Sequence, residues 1–138
     1  MTRAVLDPNV LIAAVIAPNG PPADCLRAHA EGRFELIVSE ALLAELARVL
    51  AREKFRRYLS LAQAEELVVT LRRDAIVCSD ADEAPPLRSP DPKDDYLLSL
   101  AYNEHSQVLV TGDSHLLGLR SPAFRIVTPR DFLSVLPA

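Results

Sequence analysis

Five short apolar runs constrain the fold most: "AVLD", "FELIVS", "AIVC", "QVLVT" and "FRIVT", at residues 4–7, 34–39, 75–78, 107–111 and 124–128. Each is followed by a stretch with helical spacing of its apolar residues. Strands that alternate with helices are joined by crossovers, so they run parallel and the helices cover the sheet. The runs are apolar throughout rather than alternating, as strands covered on both faces should be. The expected class is therefore α/β with a mostly parallel sheet. In such sheets ligands sit beyond the carboxyl ends of the strands, where strand order reverses.

The helical readings run from about Asn9 to Ala17, from near Ala23, through "EALLAELARVLAREKF" as one long helix, and through "LAQAEELVVTLRR". Further on come "DDYLLSLAYNEH", a short turn at "SHLLGL", and "PRDFLSVL". "PNGPP" breaks the chain between the first two helices, and "SDADEAPPLRSPDP" reads as a polar, Pro-rich loop. With 138 residues, 49% of them hydrophobic, the chain has the length of one domain and enough apolar material for a core without disulfides or a structural metal. Cys25 and Cys78 form no CxxC or Cys/His cluster and read as reduced core thiols of a cytosolic protein. Asp7 breaks the only candidate apolar region of a signal peptide, and Val10–Ala17 is too short to span a bilayer. A cytoplasmic location is expected. The formal net charge of -4 argues against general coating of nucleic acid, but not against an enzyme that holds it locally through metal ions.

The acids carry the chemistry. Asp7 interrupts "RAVLDPNVLIAAV", where no Lys or Arg follows Arg3 to pair with it, and a lone carboxylate is costly to bury. Asp113 directly follows "QVLVTG", so both aspartates belong on the same rim of the sheet. Gly112 would permit a tight turn there, Asp113 could simply cap the next helix, and Thr111 is either a plain strand residue or a hydroxyl near the site. Glu45 falls on the flank of the apolar face made by Leu42, Leu46, Val49 and Leu50, with Arg48 and Arg52 one and two turns on. That flank reads either as a solvated face with a Glu45–Arg48 pair or as a site edge whose arginines meet phosphates. Asp91, Asp94 and Asp95 open another helix; capping by Asp91 and Asp94 explains two of the three acids and leaves one spare. His115 reads as a surface residue or a ligand. Taken together, Asp7, Glu45, Asp95 and Asp113 come from four segments that the fold can bring to one rim. Four carboxylates cannot stay ionised together without compensation, and all-oxygen ligation suits Mg²⁺ or Mn²⁺.

At "VLDPNVLI", "SEALLAELARVL", "DPKDDYLLSLA" and "VLVTGDSHLL" the sequence resembles the PIN-domain nucleases, and more narrowly VapC-like toxins, over nearly its whole length. The resemblance implies a three-layer α/β/α sandwich forming one nuclease domain over residues 1–138. It implies metal-dependent hydrolysis of RNA to a 5′-phosphate and a 3′-hydroxyl. It maps the acidic site onto Asp7, Glu45, Asp95 and Asp113, with metal on Asp7, Asp95 and Asp113. Asp94 can share the role of Asp95, because adjacent acids leave the register open by one. Asn9, Ser39 and Thr111 match supporting polar positions. His115 stands where many relatives carry another acid, which bears on a second metal. Arg48 and Arg52 would steer RNA, and a cognate antitoxin and a homodimer are the implied partners.

Two other classes compete. A haloacid-dehalogenase-like phosphatase also has an aspartate after its first strand and a late "GD", but wants a second aspartate where Asn9 stands. A PIN-like interaction module with weakened catalysis would explain His115, but not four retained acids.

Overall fold

The computed structural model describes residues 1–80 and 87–137. Five strands, β1 (Arg3–Leu6), β2 (Glu35–Ser39), β3 (Ile76–Cys78), β4 (Val108–Val110) and β5 (Arg125–Val127), form one sheet in the order β3-β2-β1-β4-β5. All four pairings are parallel. Ala4 of β1 pairs Leu36 on one side and Val108 on the other. These three residues are buried, as a central strand covered on both faces requires. Part of the polar loop between β3 and the later acids lies outside the described residues.

Among the described residues seven α-helices accompany the sheet: α1 (Pro8–Ile16), α2 (Pro21–Ala30), α3 (Glu40–Leu50), α4 (Leu61–Asp74), α5 (Asp95–Asn103), α6 (Ser114–Leu117) and α7 (Pro129–Val135). Helices pack side by side in the order α4-α3-α1-α2-α7, whereas α5 packs against β1 and β4. Right-handed crossovers put α5 on the opposite face from α1–α4, which gives the three-layer sandwich. Phe34 and Phe132, meeting edge to face with centroids 4.9 Å apart, close the core beneath α7. No helix among the described residues is long and apolar enough to cross a membrane. Cys25 and Cys78 are free thiols; Cys25 is buried, which pushes its pKa up to about 12.

One element differs from the sequence reading. The stretch 40–55 is not one helix: α3 stops at Leu50, Arg52 is extended (ψ 139°), and a separate 3₁₀ turn follows at Glu53–Phe55. Two forces end the helix. The Arg56 guanidinium donates to the carbonyl of Leu50, one of the last carbonyls that a helix leaves unpaired. The chain also turns so that Phe55 and Leu59 enter the core, which continued helix would not allow.

Strand order reverses between β1 and β4. The crevice beyond their carboxyl ends is where this topology places a ligand, and it is where the acids converge.

Candidate active site

Asp7 immediately follows β1. Its backbone N–H still donates to Val110 of β4 (2.9 Å), so the ladder holds it between the two central strands. It then caps α1, with Pro8 at the first helical position, where a missing N–H costs nothing. Only 3% of its surface is exposed. One carboxylate oxygen accepts from the Asn9 N–H (2.9 Å), the other from the Thr111 hydroxyl (2.8 Å). Thr111 is fully buried and also accepts from the Asp113 N–H (3.0 Å), so one hydroxyl ties the two aspartates together. Burial pushes the Asp7 pKa up, the Asn9 and Thr111 hydrogen bonds pull it down, and the charges of Asp113 and Glu45 push it up again; the net direction is upward. No basic side chain pairs with Asp7 among the described residues.

The adjacent acids Asp94 and Asp95 do different things. Asp91 caps the 3₁₀ turn Pro92–Asp94 by accepting from the Lys93 N–H (3.0 Å). The Asp91 N–H is taken by Ser89 Oγ (3.2 Å), so no capping box forms and the Asp94 carboxylate is left over. Asp95 turns back to the preceding loop, where it accepts from the Ser89 N–H (2.7 Å). Asp94 faces the crevice. Its pKa rises to about 6, first through burial and then through the charges of Asp7, Asp91, Asp113 and Glu45. The structure thus brings together Asp7, Glu45, Asp94 and Asp113, and Asp95 stands one residue away, holding the loop.

Glu45 projects from α3 and is clamped from α5. Tyr96 donates its hydroxyl to Glu45 Oε2 at 2.5 Å, and Arg48 reaches Oε1 at 3.5 Å. The Tyr96 hydroxyl is held firmly protonated by burial, by this hydrogen bond and by the charges of Glu45, Asp7 and Asp94. The sequence reading passed over Tyr96; its position directly after two acids at a helix start was the signal available.

The supporting residues fall into place around this. Ser39, fully buried, caps α3 by accepting from the Leu42 N–H (3.2 Å), and so fixes the helix that carries Glu45. Asn9 is exposed at the mouth of the crevice. His115 is also exposed; its N–H donates to Asp113 Oδ1 (2.8 Å) and its Nδ1 lies 3.5 Å from the same oxygen. Asp113 therefore caps α6 and faces the acids at once. The Glu45–Arg48 pair of a solvated face is present as well. Arg52 does not lie two turns along the same flank, because α3 has ended before it.

The arrangement places several carboxylates, hard oxygen donors, near one another, and burial together with the neighbouring acids raises the Asp94 pKa. That chemistry fits a hard divalent cation. Among the described residues no group of three or more acids, histidines or cysteines is placed to hold a metal ion as the side chains stand.

A family model for the PIN domain matches residues 3–115. The chain belongs to the PIN-domain family. This is a family of nucleases acting on nucleic acid. An uncharacterized protein of Methanocaldococcus jannaschii is 25% identical over 150 aligned positions, covering 95% of this chain and 89% of the relative. The fold matches a VapBC complex of Salmonella typhimurium bound to DNA, with TM-score 0.65 and 16% identity over 94% of this chain and 99% of that one. It also matches VapBC2 of Rickettsia felis bound to a promoter DNA fragment, with TM-score 0.62 and 14% identity over 91% of this chain and 97% of that one. In this PIN domain the acids stand where the sheet topology puts its ligand crevice.

Proposed function

We propose that this PIN domain, taken as one unit over residues 1–138, is a Mg²⁺- or Mn²⁺-dependent endoribonuclease. The observation that carries the reading is the meeting of Asp7, Glu45, Asp94 and Asp113 at the switch point, with no basic partner on Asp7 or Asp94 among the described residues and both pKa values raised. Asp7, Asp94 and Asp113 would hold the cation. When bound, such a cation lowers the pKa of water and neutralises charge on phosphoryl oxygens. The remaining work belongs to the chain. Thr111 holds Asp7 and the Asp113 backbone in fixed relation, Tyr96 orients Glu45, and Glu45 accepts the proton of the attacking water. In-line attack leaves a 5′-phosphate and a 3′-hydroxyl. Arg48, exposed beside Glu45, steers the RNA backbone, and Arg52 contributes from the turn beyond α3.

The fold shared with the two VapBC complexes supports a toxin role with a cognate antitoxin; a homodimeric assembly and a cytoplasmic location are what the resemblance to VapC-like toxins implies. The test is cleavage of end-labelled RNA with Mg²⁺, Mn²⁺ or EDTA. Cleavage should need the cation and should be lost in Asp7→Asn and Asp113→Asn. Cleavage that survives EDTA, or that both variants retain, rejects the reading.

A further inference from the structure

Beside the acid cluster lies a cavity of about 310 Å³ that the chemistry above does not use. Asn9 and Ala13 of α1, Pro22 of α2, Pro129 of α7, and Gly112 and Asp113 after β4 are among the residues that line it. Two details suggest that this space is kept open. The first is Gly112. Its φ lies outside the left-handed region, so the turn after β4 does not demand glycine. A Cβ built there meets no atom within 4 Å, so packing does not demand glycine either. Gly112 lines the cavity, so a side chain there would adjoin it, next to Asp113. The second is Asn9. Its N–H is committed to Asp7, but its side-chain amide makes no hydrogen bond among the described residues.

We infer that this cavity is a subsite for one nucleobase of single-stranded RNA, the base flanking the phosphate held at the acids. The inference rests on the nuclease reading and deepens it. The volume is at the lower end for ligand pockets, which suits one base and not a longer segment. The aliphatic and proline walls offer apolar surface to a base face, and the Asn9 amide in the lining can meet donors and acceptors on a base edge. Asp113 belongs to both the cluster and the cavity, so a base seated here is one nucleotide's reach from the acids.

The test begins by mapping the phosphate that the full chain cleaves in a labelled RNA with Mn²⁺. Binding is then read by fluorescence anisotropy with Ca²⁺ in place of Mn²⁺, using that RNA intact or with an abasic residue at either nucleotide flanking the mapped phosphate. One of the two abasic positions should weaken wild-type binding about tenfold, the scale of one base contact. Gly112→Val and Ala13→Leu each add bulk to the cavity lining. Both should bind intact RNA as weakly as wild type binds the abasic form, and should no longer distinguish the two. Thermal melts of both variants separate a filled cavity from a lost fold. If neither abasic position matters to wild type, or if the folded variants bind intact RNA as wild type does, the subsite is overturned while the nuclease reading stands. If wild type cleaves no RNA with any divalent cation, the nuclease reading falls and the subsite with it.

Discussion

Asp94 and Asp95 are neighbours with opposite predicted effects on stability. The Asp94 pKa is lifted from 3.8 to about 6 by burial and by the surrounding acids. Two units are worth about 3 kcal/mol at full value. Asp94 is only partly buried, and solvent screening reduces that to roughly 1 kcal/mol. The sign follows from proton linkage. Between about pH 4 and pH 6 the folded state holds more protons at this group than the unfolded chain does, so stability falls as pH rises through that window, and the full penalty applies at neutral pH. Asp94→Asn removes the penalty. In EDTA at pH 7.5 it should melt roughly 3–5 °C above wild type for a chain of this size. Its stability should also change less between pH 4 and 7 than that of wild type. Asp95→Ala instead strips the acceptor from the Ser89 N–H and should lose about 1–2 kcal/mol, melting lower. Melts followed by circular dichroism across pH decide this. An Asp94→Asn that melts below wild type in EDTA at pH 7.5 would refute the crowded-carboxylate argument.

Other consequences follow from single contacts. Thr111→Val leaves the buried Asp7 oxygen and the Asp113 N–H without their shared partner, and should cost about 2 kcal/mol in denaturant titration while abolishing most cleavage. Tyr96→Phe keeps the ring and loses the hydroxyl on Glu45; kcat should fall about tenfold with KM nearly unchanged, since the contact orients the proton acceptor and does not hold substrate. Arg48→Ala should lower the slope of log affinity for RNA against log salt by about one, and an unchanged slope would return Arg48 to the solvated-face role.

Much of this was legible in the chain because the fold and the crevice follow from coarse pattern. Five apolar runs separated by helices leave few arrangements other than a parallel sheet, and Asp7 and Asp113 directly follow two of those runs. What the pattern could not resolve was finer than one helical turn. Asp94 and Asp95 are both good first-turn acids, and the choice between them depends on Ser89, which takes the Asp91 N–H with its hydroxyl and gives its own N–H to Asp95. The break after Leu50 was hidden because "AREKF" has good helix formers; the burial of Phe55 and Leu59 overrides propensity there. Tyr96 was missed because its partner, Glu45, is 51 residues away in sequence.

The central claim is that these carboxylates form a cation site, and thermal melts of wild type and Asp7→Asn, each in EDTA and in Mn²⁺, test it without any substrate. A cation that binds only the folded chain adds about 2.7 kcal/mol at a hundredfold excess over its dissociation constant, a rise of roughly 5–15 °C here. Asp7 is buried beside like charges with its pKa raised, so Asp7→Asn should melt higher than wild type in EDTA and gain little from Mn²⁺. A variant that melts lower in EDTA and still gains the full Mn²⁺ increment would show that Asp7 is a structural cap and that the acids are not a metal-binding active site.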